Sequence, residues 1–135
     1  MKTKLLICLL LVGFGMSTSC ENDENNLPQE KTIYGTWNLM NVRGGLASIN
    51  KNYAKGDVKW TFNQIDSTLS VQNNIGNDNS FRLLSGLYTF TIEQNGETQV
   101  LFANNKDYRM VILSMDNNLV ISDDLNDGFI AEFRR

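Results

Sequence analysis

Histidine is absent from all 135 residues. Without an imidazole there is no Ser-His-Asp or Cys-His catalysis, and the usual zinc sites lose their commonest ligand. Cysteine is nearly absent: Cys8 and Cys20 both fall in the first twenty residues. Everything after them lacks a disulfide, so hydrophobic burial must hold the fold. Long apolar runs are missing too. Leu5 to Phe14 is the one extended stretch, broken by Gly13, and it is too short to cross a bilayer as a helix. Positive charge is scarce. Past residue 19 there are ten basic and fifteen acidic side chains, a net charge of −5. That argues against a nucleic-acid partner, because phosphate binding needs a basic face. No glycine-rich phosphate loop and no nucleophile elbow occurs. Nothing points to a cofactor or a metal. A carboxylate pair or a lysine nucleophile is the only catalytic chemistry left open.

What is present begins at the N-terminus. Lys2 and Lys4 precede the apolar run, and Gly15, Ser17, Thr18 and Ser19 lead into Cys20. This is the layout of a signal peptide over residues 1–19. The cysteine after small residues resembles the lipobox of bacterial lipoproteins, with Ser17 where that family has Leu or Val. The resemblance implies that Cys20 is acylated and becomes the N-terminus, a membrane anchor stronger than a single chain provides. A plain secretory signal cut after Ser19 is the other reading, and it leaves Cys20 a free thiol in an oxidising compartment. Glu21, Asp23 and Glu24 are similar to the export signal that sends Bacteroidetes lipoproteins to the cell surface; otherwise they are a solvated acidic tether. The expected location is the bacterial cell envelope, as an outer-membrane lipoprotein. Residues 20–31, Asn-rich and holding the single proline Pro28, read as a flexible tether, and the domain is expected over 32–135.

From Thr32 onward the pattern has period two. Eight strands are expected. Trp37 and Leu39 carry the first, over about Gly35 to Arg43; Val58, Trp60 and Phe62 carry the second; Leu69 and Val71 the third; Tyr88, Phe90 and Ile92 the fourth. Asn95-Gly96 supplies a two-residue hairpin turn into Val100 and Phe102. Tyr108 to Leu113 is a sixth strand, apolar on both faces. Leu119 and Ile121 mark the seventh, and Phe129, Ala131 and Phe133 the eighth. These alternating residues define the expected interior. Antiparallel strands at such spacing leave sheet edges, which an all-β, eight-stranded up-and-down barrel removes. A two-sheet sandwich is the alternative, but it needs long crossovers and only Gly44–Gly56 and Asn73–Ser85 are long. In the first of these, Leu46, Ile49 and Tyr53 are spaced for a short helical turn over a barrel mouth, either capping the core or forming a lid.

Gly35-Thr36-Trp37 resembles the Gly-x-Trp of lipocalins and of bacterial lipocalin-like domains. Gly56-Asp57, Trp60-Thr61-Phe62 and Ser85-Gly86-x-Tyr88 are similar to the lipocalin-like lipoproteins of Bacteroidetes, over about Ile33 to Arg135. The resemblance implies that Trp37 closes the barrel base and that an arginine past the last strand, Arg134 or Arg135, packs over its ring. It also implies a non-catalytic binder of a small hydrophobic or amphipathic molecule. Asp107-Tyr108 matches part of the family's Thr-Asp-Tyr element, with Lys106 in place of Thr. The Arg-x-Tyr that fatty-acid-binding proteins carry on their last strand is absent from Phe129 to Phe133.

Tyr53, Trp60, Arg82 and Tyr88 are the polar-tipped candidates to orient a ligand. A barrel of eight strands is just wide enough to hold one small molecule or to be filled by its own side chains, and the aromatic content favours filling. A filled barrel would act through its outer surface, as an interaction module. An enzyme would need two carboxylates in one cleft, which the alternation does not place. Asp123 to Gly128 looks superficially like a calcium loop, but Leu125 and Arg134 stand where carboxylates are needed, so it reads as a solvated turn.

Overall fold

A computed structural model describes residues 31–76, 81–123 and 126–135. Nine strands run in chain order: β1 (Gly35–Gly44), β2 (Ile49–Asn52), β3 (Val58–Asn63), β4 (Thr68–Asn73), β5 (Gly86–Asn95), β6 (Thr98–Ala103), β7 (Tyr108–Met115), β8 (Asn118–Ser122) and β9 (Phe129–Arg134). Every neighbouring pair is antiparallel, and β9 pairs back onto β1. Eight strands, β1 and β3 to β9, therefore form a closed up-and-down barrel, and no helix occurs among the described residues. The polar clusters between the strands make the turns. Asn63 Oδ1 accepts from the Ile65 amide at 2.9 Å, and Asp66 Oδ1 accepts from the Thr68 amide at 3.1 Å, both side chains mimicking a turn of backbone.

The ninth strand replaces the expected helical turn. Gly44 and Gly45 both have positive φ and reverse the chain, so that β2 pairs with the far half of β1 where β3 has left it. A Cβ at Gly44 would sit 2.2 Å from the carbonyl oxygen of Gly128, so only glycine fits there. Of the three residues spaced for a helix, Leu46 and Ile49 are exposed, and Tyr53 alone is buried. The local apolar spacing was too short to outweigh pairing with an open strand edge.

The interior is built from Trp37, Leu39, Val58, Trp60, Phe62, Leu69, Leu119, Ile121 and Phe133, all essentially without solvent contact. Burial of such side chains stabilises by roughly 1.5–3 kcal/mol each. Trp60 lies 4.9 Å from Phe133 between ring centroids, and Phe62 meets Phe90 edge-on at 5.1 Å. Two more side chains join from the connection between β4 and β5: Phe81 and Leu83 are both buried in the same cluster.

On β6 the expected facing is reversed. Leu101 and Ala103 belong to the core, while Val100 and Phe102 point outward. Opposed residues share a face, and Phe90 faces Ala103 while Ile92 faces Leu101. The hairpin connection is Gly96-Glu97, one residue later than expected, with Gly96 at φ +62° as a type II′ turn requires. On β7, Met110 and Ile112 face inward, and Val111 is buried on the outer face opposite Val100.

Candidate functional site

The barrel has two unlike ends. At one, the β3–β4, β5–β6 and β7–β8 turns gather with residues 31–34 and the C-terminus. Trp37 closes this floor. Its Nε1 donates to the Ile33 carbonyl at 2.7 Å, and the Arg135 guanidinium lies 4.4 Å from its ring centre. Arg135 also donates to the carbonyls of Thr32 at 2.6 Å and Tyr34 at 3.3 Å. Arg134 is not the closing residue. It follows the inward Phe133, so strand alternation turns it to the outer wall, where it pairs with Glu132 at 3.0 Å. Only a residue past the strand's end escapes that alternation.

The other end is the mouth, and here the connection between β4 and β5 turns inward. Phe81 and Leu83 are buried, and Arg82 between them is exposed with φ +54°. Its guanidinium sits 5.9 Å from the ring centre of Tyr108. Tyr108 meets Tyr88 edge-on at 6.5 Å, and the Tyr88 hydroxyl donates to the Leu84 carbonyl at 2.8 Å. Burial, and then the neighbouring Tyr108, raise the Tyr88 hydroxyl above the ordinary tyrosine value. Phe81 packs against Trp60 with ring centres 6.1 Å apart. Trp60 is fully buried, and its Nε1 has no hydrogen-bond partner among the described residues. An unsatisfied buried donor costs about 1–3 kcal/mol.

Three of the four expected residues thus share one region: Trp60 inside, Arg82 and Tyr88 at the rim, linked through Phe81, Leu84 and Tyr108. Tyr53 does not join them. It is buried where the chain leaves β2, and its amide donates to the Met40 carbonyl at 2.9 Å. The Lys51 ammonium stands 5.1 Å over its ring, and burial raises its hydroxyl pKa. Tyr53 instead lines an open cleft of about 520 Å³ on the outer wall, with Asn41, Arg43, Asn50, Asn52, Glu132 and Arg134. Many of that cleft's polar groups are mutually satisfied: Asn41 Nδ2 donates to Asn50 at 2.7 Å and Asn52 at 2.8 Å. A second open cleft, of about 330 Å³, lies between Phe102, Thr91 and Lys106.

Phe81 and Leu83 are absent from the expected site, and Tyr108 is expected only as a strand residue and part of the Asp107-Tyr108 match. The alternation of Phe81, Arg82 and Leu83 is the available signal, and it is short and lies inside the long connection between β4 and β5. Asp123, expected to be solvated, is buried, and its Oδ1 accepts from the Phe129 amide at 2.9 Å. Among the described residues no three His, Cys, Asp or Glu side chains converge. Cys20, residues 1–19 and the tether up to Glu30 lie outside the described residues.

This fold and site define a closed all-β barrel with a sealed floor and an aromatic mouth, the architecture of a lipocalin-like barrel. Compared with known proteins, the chain matches no family model, no curated protein and no solved structure.

Proposed function

We propose that this chain is a lipocalin-like lipoprotein of the bacterial cell envelope, held at the outer membrane through acylated Cys20. In this reading the barrel binds a small hydrophobic or amphipathic molecule without catalysis. The observation that carries the reading is the mouth: an exposed cation at Arg82 and two tyrosines stand over an apolar, aromatic interior that contains one unsatisfied donor. Ligand sites pair apolar walls with a few placed polar groups in this way. The lipobox-like residues before Cys20 and the acidic residues after it support the anchoring and the location.

The test is native mass spectrometry of the protein extracted gently from its host. A co-purifying small mass, lost on organic extraction, is the expected result. A bare polypeptide mass, unchanged when a lipid extract is added back, sinks the binding reading.

A second reading has its own support. Trp60, Phe62, Phe81 and Phe133 fill the interior, and the two clefts described above open on the outer wall. In that reading the filled barrel is a surface interaction module, and the bare mass is its expected outcome.

A further inference from the structure

We infer that the barrel interior holds a site for a small, neutral, largely apolar molecule bearing one hydrogen-bond acceptor, which takes the place of Phe81 and accepts from Trp60 Nε1. This rests on the binding reading above and names the chemistry of its ligand.

The chain has two tryptophans, and the barrel treats them differently. Trp37 Nε1 is satisfied by the Ile33 carbonyl, whereas Trp60 Nε1 is buried without a partner among the described residues. Buried indole N–H groups normally find an acceptor, so an orphan of this kind calls for an explanation. An indole can only donate, so whatever satisfies it must bring an acceptor oxygen or nitrogen.

The neighbours of Trp60 decide where such a group could enter. Phe62 and Phe133 belong to β3 and β9 and are fixed by the ladders on both sides. Phe81 belongs to a connection, and its place depends on local bonds such as Leu83 N to Phe81 O and Asn73 N to Ser85 Oγ. Between the two buried side chains of that connection, Arg82 is held in the left-handed region, where any residue with a Cβ is strained. Backbone strain of this kind clusters in segments that a binding event rearranges, and here it falls on the residue that follows Phe81 in the chain. Phe81 is therefore the aromatic neighbour of Trp60 that a ligand displaces at least cost.

The same interior sets the ligand's charge. The buried polar or charged residues among those described are Asn38 and Asp123, so no buried lysine or arginine waits to pair an anion. A charged group would be desolvated without compensation, and a neutral acceptor is not. The size follows from the side chain replaced. Apolar cavities of about 150 Å³ stay dry and take molecules of benzene size. One ring with one carbonyl fits that description.

Acetophenone and α-methylstyrene test this directly, since they share a shape and differ by C=O against C=CH2. The full chain is titrated with each while the two indole N–H signals are followed by 15N NMR. Acetophenone should bind about tenfold more tightly and move the Trp60 indole proton downfield, with the Trp37 indole unmoved. Phe81→Ala should tighten both probes and keep the preference, and Trp60→Phe should abolish the preference. The wild-type titration needs no variant to fold. Equal affinity for the two probes, or an unmoved Trp60 signal with acetophenone bound, overturns this inference and leaves the binding reading standing. Failure of both probes to bind the wild-type chain overturns the inference, and the filled-barrel reading then explains it.

Discussion

The guanidinium of Arg135 lies 4.4 Å from the ring centre of Trp37 and also holds the carbonyls of Thr32 and Tyr34. One side chain thus ties the C-terminus, the segment before β1 and the floor of the barrel together. Its neighbour Arg134 makes an ion pair on the outer wall with both partners partly in water. The two arginines should separate cleanly in a denaturation experiment. Arg135→Ala is expected to cost about 1–2 kcal/mol, from the cation–π contact and the lost hydrogen bonds. Arg134→Ala is expected to cost under about 0.5 kcal/mol, as exposed pairs do. Urea midpoints at constant slope measure both, and equal costs would contradict this account of the floor.

The facing of β6 is open to the same kind of test. Leu101 is fully buried opposite Ile92, and Phe102 is half-buried on the outer wall opposite Thr91 and beneath Lys106. Leu101→Ala is therefore expected to cost about 2–5 kcal/mol, the range for buried leucines. Phe102→Ala removes more atoms but leaves no internal cavity, and about 1 kcal/mol is expected from the lost cation–π contact and partial burial. The reverse order would place Phe102 inside.

That reversal shows where the sequence was legible and where it was not. The strand count of the barrel and its interior on β1, β3, β4, β8 and β9 follow from alternation, because one face of each strand is apolar and the other polar, and the antiparallel pairing follows from the short turns. Residues 100–103 read Val-Leu-Phe-Ala, apolar at every position, so alternation there is silent. The turn held the answer. With two connecting residues, the even-numbered inward positions of β5 must oppose odd-numbered ones on β6. Phe81 and Leu83 are hidden for a different reason: their alternation with Arg82 is only three residues long, and their burial depends on how a long connection folds over the mouth. Trp60 was a candidate for its polar tip. That the tip is unsatisfied depends on tertiary neighbours supplied by β3, β9 and the connection together.

The β6–β7 turn sets two effects of similar size against each other. Asn105 and Lys106 both have positive φ, at +54° and +76°, as a type I′ turn requires. Glycine is the residue best suited to the second position, and Lys106→Gly should relieve about 1 kcal/mol of backbone strain. Against this, Lys106 pairs with Glu93 and stands 5.1 Å over Phe102, contacts expected to offset most of that gain. Near-neutral stability at low ionic strength is expected. Raising salt should weaken the wild type and leave the variant unchanged, so the variant becomes the more stable of the two. Melting temperatures at low and high sodium chloride check the crossing.

The pH profile should be flat where most proteins change and steep where most do not. The described residues contain no histidine or cysteine, so no side chain among them ordinarily titrates between the carboxylates and the tyrosines. Three groups then move in one direction. Burial raises the Tyr53 hydroxyl, and burial followed by Tyr108 raises that of Tyr88. The hydrogen bond and ion pair with Asp116, at 2.6 Å, raise the Lys31 ammonium. Each group holds its proton more tightly in the folded chain than in the unfolded one. The stability they contribute is fully present below the unfolded values, near about pH 10, and is lost as pH rises through the folded ones. Unfolding free energy is expected to be level from about pH 6 to about pH 9 and to fall above about pH 10. Tyr53→Phe with Tyr88→Phe should flatten part of that alkaline fall, because phenylalanine has no proton to lose in either state. Denaturant melts across the range, wild type against the double variant, decide it: an alkaline limb equally steep in both would remove the tyrosines as its cause.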